Sequence, residues 1–273
     1  MIDEKAVTAY LDRIGARRPR VLDEAALRDL HRDHLMTVPF ENLSIHLDEP
    51  ISLDEADLVG KIVTRRRGGF CYELNGAFAL LLEALGAQVV RVAARVHGDG
   101  HLGPPFDHLA LVVRLPGGDD RWLADVGFGS HSTYPLRFDS RQQQDDPAGP
   151  FGLTDTEAGD VDVLKDGQPQ YRIEPRERRL ADFAPTCWWQ QTSPASHFTR
   201  STICSRLTDD GRISLSGRTL IRTTGGSRTE QHLDTDDAIL AAYRDNFGIT
   251  LPRVPTAPPP SAASSNVCPV RPD

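Results

Sequence analysis

Arg67-Gly68-Gly69-Phe70-Cys71-Tyr72-Glu73-Leu74-Asn75 marks the place where a backbone made pliable by two glycines enters a helix. Leu74, Phe78, Leu81, Leu82 and Leu85 fall on one face of that helix, and Gly86 supplies the left-handed residue on which helices commonly end. Cys71 therefore sits at a helix N-terminus. There, unpaired N–H groups point outward and the dipole favours an anion, an arrangement that lowers a thiol pKa. The same N–H groups, approachable because glycines precede them, can donate to the oxygen of a tetrahedral intermediate.

Upstream of this stretch the apolar residues keep a helical period: Val7, Tyr10, Leu11 and Ile14; Leu27, Leu30 and Leu35 after a capping Asp23; Leu58, Val59, Ile62 and Val63 after Asp54. Downstream of Gly86 the period falls to two. Gln88 to Val96, Asp107 to Leu115 and Arg121 to Val126 read as strands rich in Val and Leu, opening a sheet or barrel. From Ser140 to Gln170 the glutamines, prolines and glycines predict loops around short strands such as Val161 to Lys165. Strand patterns return over Phe198 to Leu207, Arg212 to Leu215 and Thr219 to Thr224, with Gly225-Gly226 as a hairpin turn. A last helix aligns Ile239, Tyr243 and Phe247 before Gly248. The sum is an α+β chain: helical over 1–87, β over 88–207, a smaller α/β unit over 208–251, and a Pro-rich tail over 252–273 with too little apolar surface to offset its ordering entropy.

With 39% hydrophobic residues the chain can bury a substantial core. Its formal charge of −8 comes from interspersed acids and bases, which leaves no stripe to track a phosphate backbone. The run Arg65-Arg66-Arg67 reads as a solvated or salt-bridged face, so nucleic acid is not an expected partner. No apolar run reaches the roughly 18 residues of a membrane span, making a soluble, cytoplasmic protein the expectation. Cys71, Cys187, Cys204 and Cys268 form no CxxC pair and the histidines show no ligand spacing, which predicts free thiols and argues against a metal site. Trp188-Trp189 reads as core or interdomain packing. No interface pattern stands out, so the oligomeric state is open.

A nucleophilic thiol needs a base. His108 stands at the start of the alternating strand Asp107-His108-Leu109-Ala110-Leu111-Val112-Val113, polar where the core pattern begins. Asp125 ends Arg121-Trp122-Leu123-Ala124-Asp125 and precedes Val126-Gly127-Phe128-Gly129, so a carboxylate stands at a strand terminus, able to orient the imidazole. Taken singly, a cysteine is usually a small buried hydrophobe, a histidine structural and an aspartate a turn residue. Only the combination points to nucleophilic catalysis. A Cys-His-Asp order also suits papain-like proteases and transglutaminases, so local chemistry leaves peptide cleavage, amide transfer and thioester exchange open.

The motifs Arg67-Gly68-Gly69-Phe70-Cys71, Val38-Pro39-Phe40-Glu41-Asn42-Leu43, His108 before its apolar strand, Asp125-Val126-Gly127-Phe128-Gly129, and Thr192-Ser193-Pro194 followed by Phe198 resemble, in order, those of the arylamine N-acetyltransferases. The resemblance covers most of residues 1 to 250. It implies a helical N-terminal domain carrying the cysteine, a central β-barrel carrying the histidine and aspartate, and a smaller C-terminal α/β domain. It implies, too, ping-pong transfer of an acetyl group from acetyl-CoA, a co-substrate rather than a resident cofactor, through a Cys71 thioester to an arylamine, hydrazine or N-hydroxyarylamine. By the same resemblance Cys71, His108 and Asp125 form the triad, Glu41 and Arg67 pair as structural support, and Phe40, Phe128 and Phe198 line the acceptor pocket. Pro104 and Pro105, before the histidine, and Gly129 and Ser130, after the aspartate, are the residues it offers to CoA. The Asp-rich region from Asp145 to Gly167 departs from the family pattern at the cleft mouth. The nearest rival reading is an amide synthase of the same fold, which releases a polyketide chain as a macrolactam with the same triad; a thiol protease or amidase and a degenerate binding module are more distant ones.

Overall fold

In the computed structural model, which describes residues 2–98 and 100–257, the helix that begins at Cys71 is the pivot of the fold. The helices α1 (Glu4–Ile14) and α2 (Glu24–Thr37) precede it, each capped by an aspartate, with Asp3 accepting from the Ala6 N–H and Asp23 from the Ala26 N–H. They are followed by β1 (Phe40–Glu41), α3 (Leu43–His46), α4 (Glu55–Val59), a π turn (Gly60–Thr64) and α5 (Cys71–Ala84). The apolar stripe predicts a one-faced helix, yet every residue of α5 from Cys71 to Leu82 is buried. Leu74, Phe78 and Leu81 pack with α1 and α2, while Leu111, Val113, Trp122 and Ala124 of the barrel close the same core. A helix enclosed on all sides holds its first turn rigidly, which matters for the thiol it carries.

The strands β2 (Gln88–Gly98), β3 (His101–Leu102), β4 (His108–Arg114), β5 (Arg121–Ala124), β6 (Leu136–Arg137), β7 (Gln144–Asp146), β8 (Gly149–Asp155), β9 (Val161–Lys165) and β10 (Gln168–Glu177) form one antiparallel sheet. Its order is β6-β5-β4-β2-β10-β9-β8-β7, with β3 paired to β2. Its two ends nearly meet: the Gln144 side chain accepts from the Arg137 N–H at 2.7 Å and donates to the Arg137 carbonyl at 3.0 Å, closing the curved sheet toward a barrel. Inside lie Val92, Ala94, Ala110, Val112, Leu123, Phe151, Val163, Tyr171 and Ile173. The region read as loops around short strands is thus mostly strand. Its polar, glycine-broken hairpins alternate too briefly to show a period.

After α6 (Ala184–Thr192) and α7 (His197–Arg200), the strands β11 (Ile203–Thr208), β12 (Gly211–Ser216), β13 (Thr219–Thr224) and β14 (Ser227–His232) join β1 in a second antiparallel sheet, ordered β1-β11-β12-β13-β14. The last helix, α8 (Asp236–Phe247), is capped by Thr235 and ends at Gly248 with φ +68°; its Ile239, Tyr243 and Phe247 cover Leu43, Ile213, Leu215 and Leu220. The Gly225-Gly226 hairpin is present between β13 and β14, both glycines at positive φ. Three local expectations are corrected. Phe198 lies in a short helix because the Ser196 hydroxyl accepts from its N–H, and the strand starts only at Ile203. That strand, grouped by the sequence with the barrel, pairs with β12 and β1. Trp188 is 65% exposed on the outer face of α6. No helix among the described residues is long and apolar enough to cross a membrane. Beyond residue 257 the Pro-rich tail, with Cys268, lies outside the described residues.

Candidate active site

The entry to α5 is built by close approach of two backbone segments. β1 runs beside Gly69, whose carbonyl accepts from the Glu41 N–H at 2.8 Å. A Cβ on Gly68 would stand 1.8 Å from the Pro39 carbonyl oxygen, and one on Gly69 2.5 Å from the Glu73 carboxylate, so neither position tolerates a side chain. Glu73 accepts from the Phe70 N–H at 3.3 Å and pairs with buried Lys61 at 2.6 Å; a carboxylate thus serves the helix start although Phe70, at the cap position, has no polar group to offer.

Cys71 retains 4% of its surface exposed, in a cluster with Phe70, Tyr72, Ala93, Leu109, Phe183 and Cys187. Its thiol approaches the carbonyl oxygen of Asp107, the residue before His108, at 3.9 Å. Burial pushes this thiol well above its ordinary range, and the carboxylates of Asp107 and Asp125 add to the effect against a lowering hydrogen bond from the Leu109 backbone. This corrects the lowering expected from the helix end: desolvation of a thiolate outweighs what a helix dipole contributes.

His108 opens β4 and Asp125 follows β5, so two adjacent antiparallel strands deliver the pair to one spot. The His108 Nε2 lies 2.7 Å from Asp125 Oδ2, with the residues 2% and 1% exposed. Burial raises the Asp125 carboxyl, but the His108 imidazole, His131 and the hydrogen bond from Asn75 overcome it and hold the group well below the usual carboxylate range.

Asn75, one helical turn beyond Cys71, ties these parts together. Its Nδ2 donates to Asp125 Oδ1 at 2.8 Å and to the Leu109 carbonyl at 2.6 Å, and its Oδ1 accepts from the Val126 N–H at 2.9 Å. The Gly127 N–H adds a bond to Asp125 Oδ1 at 3.0 Å. From the other side, His31 Nε2 accepts from the Asp125 N–H at 3.1 Å while its Nδ1 donates to the Thr133 carbonyl at 3.0 Å, an arrangement that fixes its neutral tautomer. Sequence reading quoted Asn75 without giving it a role and missed His31. The first carries a legible signal, since four residues after the thiol is the same helix face; the second does not, because a histidine on an apolar helix face names no partner.

Glu41 and Arg67 do meet: Arg67 Nε donates to Glu41 Oε1 at 3.0 Å, and its Nη1 to Glu49 Oε2 at 2.9 Å, with Glu41 fully buried and accepting from the Leu43 N–H at 2.7 Å. Lys61 and Arg67 outweigh burial and hold the Glu41 carboxyl below its ordinary value. The three phenylalanines are partly exposed. Phe40 and Phe198 stand 6.1 Å apart between ring centres, with Phe198 also 5.4 Å from Phe70, while Phe128 packs edge-on against His108 at 5.2 Å. Asn42 holds the Phe198 carbonyl at 2.9 Å, and Gly129 lies close enough to Phe40 for a Cβ to touch the ring at 3.4 Å. The residues offered to CoA are divided. Ser130 lines a cavity of about 500 Å³ with Arg32, Tyr134, Lys165 and Arg212, whereas Pro104 and Pro105 are not among its walls; the Pro105 carbonyl accepts instead from Thr186 on α6. No cluster able to hold a metal ion occurs among the described residues.

A buried thiol at a helix start, with an imidazole and a carboxylate hydrogen-bonded to each other on neighbouring strand ends and tied to that helix by Asn75, sets the chain among acyl-transferring enzymes. In agreement, the family model described as N-acetyltransferase matches residues 23–255. An arylamine N-acetyltransferase of Mycolicibacterium smegmatis is 36% identical over 251 residues, covering 89% of this chain and 91% of that protein. The solved M. smegmatis enzyme superposes with a TM-score of 0.84 at 35% identity, covering 92% and 93% of the two chains, and the Mycobacterium marinum arylamine N-acetyltransferase, solved in complex with CoA, with 0.82 at 32%, covering 89% and 92%. The chain belongs to the arylamine N-acetyltransferase family.

Proposed function

We propose that the chain transfers an acetyl group from acetyl-CoA to an arylamine, hydrazine or N-hydroxyarylamine by a ping-pong route through a Cys71 thioester. The observation that carries this reading is the 2.7 Å His108–Asp125 pair, anchored by Asn75 to the helix that Cys71 begins. With Nε2 engaged by Asp125, Nδ1 is the nitrogen left to exchange a proton with the thiol.

A thiol whose ionisation is opposed by burial reacts best when its proton moves a short distance and the resulting charges stay paired. Cys71 therefore passes its proton to His108 as the sulfur attacks the acetyl carbonyl. Asp125 stabilises the imidazolium, and the N–H groups at the start of α5 face the developing oxyanion. Collapse of the tetrahedral intermediate breaks the carbon–sulfur bond to CoA, which leaves with the proton from His108. In the second half the amine nitrogen attacks the Cys71 thioester, His108 accepts a proton from it, and the Cys71 sulfur departs to be reprotonated. Exchange between two thioesters is nearly isoenergetic, and an aromatic amine attacks a thioester more readily than an oxygen ester, which suits cysteine over serine.

Phe40 and Phe198 supply an aromatic wall for the acceptor, Phe128 orients His108 by edge contact, and the Glu41–Arg67 pair supports the glycine turn from behind. Ser130 and Gly129 offer the more accessible flank for CoA, Ser130 in the wall of the cavity that carries Arg32, Lys165 and Arg212 together with Asp209 and Asp210. The test is steady-state kinetics with acetyl-CoA and a panel of aromatic amines and hydrazines. Parallel double-reciprocal lines, with CoA released before acceptor is added, support the reading. No CoA release, with transfer only from a carrier-protein thioester, assigns the chain to macrolactam release; turnover of a fluorogenic peptide without any CoA thioester assigns it to hydrolysis.

A further inference from the structure

Tyr72 follows Cys71 in the first turn of α5, and the acyl-transfer steps give it no task. Its side chain is fully buried, with the ring 5.2 Å from Phe70 and 5.8 Å from Phe183 between centres, which fixes where the phenol points. The hydroxyl reaches the backbone of the loop that leads into β4. It lies 2.8 Å from the Phe106 carbonyl oxygen and 3.1 Å from that of Asp107. Carbonyls only accept, so the one phenolic proton is shared between these two oxygens. Burial pushes the ionisation of the phenol far upward, which keeps that proton in place.

The loop so held is strained. Phe106 has φ +62°, in the left-handed region where a bulky aromatic residue is an outlier, and such a conformation persists only where its surroundings impose it. Arg178 lies over the Phe106 ring at 5.1 Å, and Phe183 meets it edge-on at 5.3 Å. Thr186 donates to the Pro105 carbonyl at 3.0 Å, while the Asp107 carboxylate accepts from Gln190 at 2.7 Å and from the Val96 N–H at 3.3 Å. These contacts tie the loop to the barrel and to α6. Tyr72 ties it to α5, where the thiol is, and one of its two targets, the Asp107 carbonyl, is the oxygen that the Cys71 thiol approaches at 3.9 Å.

Two peptide links and this hydrogen bond make a short connection from nucleophile to base: Cys71 is joined to Tyr72, Tyr72 holds Asp107, and Asp107 is joined to His108. We propose that Tyr72 is a positioning residue for acyl transfer: its hydroxyl imposes the left-handed conformation of Phe106, anchors Asp107, and so sets the distance from the Cys71 sulfur to the His108 imidazole. Asn75 anchors Asp125 to α5, and Tyr72 does the corresponding work for the base. The inference rests on the reading of Cys71, His108 and Asp125 as a working triad.

The test compares wild type with Tyr72→Phe, which removes one buried oxygen and keeps every ring contact. Its control is Tyr10→Phe, the same change in the helical core, where the Tyr10 hydroxyl meets His34 at 3.1 Å. Two rates are followed over a range of pH: CoA release in single-turnover acetylation, and alkylation of Cys71 by iodoacetamide, read on its own peptide by mass spectrometry. Tyr72→Phe should slow both about three- to ten-fold at neutral pH, the worth of one hydrogen bond. Both pH midpoints should move upward, because a more distant imidazolium stabilises the thiolate less. The carboxylates of Asp107 and Asp125 and the thiol of Cys187, which also bear on the sulfur, are unchanged by the substitution. Tyr10→Phe should lower thermal stability and leave both midpoints where they are in wild type. In a Phe106→Asn background, where residue 106 accepts the left-handed conformation more readily, the Tyr72→Phe defect should shrink. Wild-type rates and midpoints in Tyr72→Phe, slower rates at unmoved midpoints, or a defect undiminished in the Phe106→Asn background would each overturn the proposal while leaving acyl transfer intact. A wild-type protein that never releases CoA would overturn the acetyl-transfer reading, and the alkylation midpoints would still decide the part played by Tyr72.

Discussion

Gly127→Ala is the sharpest perturbation the structure offers, because only its close approach to the first turn of α5, at Cys71 and Asn75, opposes it. Gly127 is absent from the glycines at positive φ, so an alanine can adopt its backbone conformation. Its Cβ, however, would stand 2.7 Å from Asn75 Nδ2 and 2.8 Å from the Cα of Cys71, where ordinary contact begins near 3.4 Å. The turn after Asp125 and the first turn of α5 must then separate by about 0.6 Å, since α5 is enclosed on all sides and neither neighbour is a flexible tip. Overpacking of this kind costs about 1–3 kcal/mol of stability. A displacement of ~1 Å in a catalytic constellation costs on the order of a hundred-fold in rate, so about 0.6 Å predicts a loss on the order of ten-fold in Cys71 acetylation. Stopped-flow CoA release measures the rate and thermal unfolding the stability, with Gly152→Ala as control, where no atom lies within 4 Å of the new methyl. Acetylation at the wild-type rate in folded Gly127→Ala would refute the claim that this contact sets the registry between thiol and carboxylate.

Cys71→Ser should bring transfer to background in an acetyl-CoA assay, because an alkoxide is far less accessible than a thiolate at neutral pH. Asn75→Ala strands the Leu109 carbonyl, the Val126 N–H and one side of Asp125, and chemical denaturation should show a loss on the order of 3–5 kcal/mol. Arg67→Met leaves Glu41 buried without its guanidinium and should cost about 3–5 kcal/mol, of which Glu41→Gln on the same background recovers a part. Glu41, held below its ordinary value in the fold, contributes stability that is present above the usual carboxylate range and is lost as pH falls through its folded pKa; denaturation midpoints of wild type should therefore fall more steeply on acidification than those of the Glu41→Gln, Arg67→Met protein.

The helix start at Cys71, the strands bearing His108 and Asp125, and the last helix ending at Gly248 were legible because each combines a clean period with a terminator. Among the hairpins β7 to β10 only the strand Val161–Lys165 was, since Gln144, Asp145 and Asp146 carry no apolar alternation and become a strand by pairing with Phe151, Pro150 and Gly149. The direction of the Cys71 shift was misjudged for a related reason: the helix end is local and visible in sequence, whereas burial by Ala93, Phe183 and Cys187 is assembled from distant segments. Asn75 and His31 likewise acquire meaning only once Asp125 is placed between them. The Glu41–Arg67 pairing came from resemblance, and the structure gives it a physical form, a buried ion pair fastening the glycine turn to β1.

The central claim is that an acetyl group rests on the Cys71 sulfur between the two halves of the reaction. Incubation with acetyl-CoA alone, rapid quenching in acid and peptide mapping by mass spectrometry should find one acetyl group on the peptide containing Cys71, cleaved by hydroxylamine and discharged by an aromatic amine. An unmodified Cys71 peptide in protein that is nevertheless turning over acetyl-CoA and amine, or an acetyl group found on Cys187 instead, would contradict it.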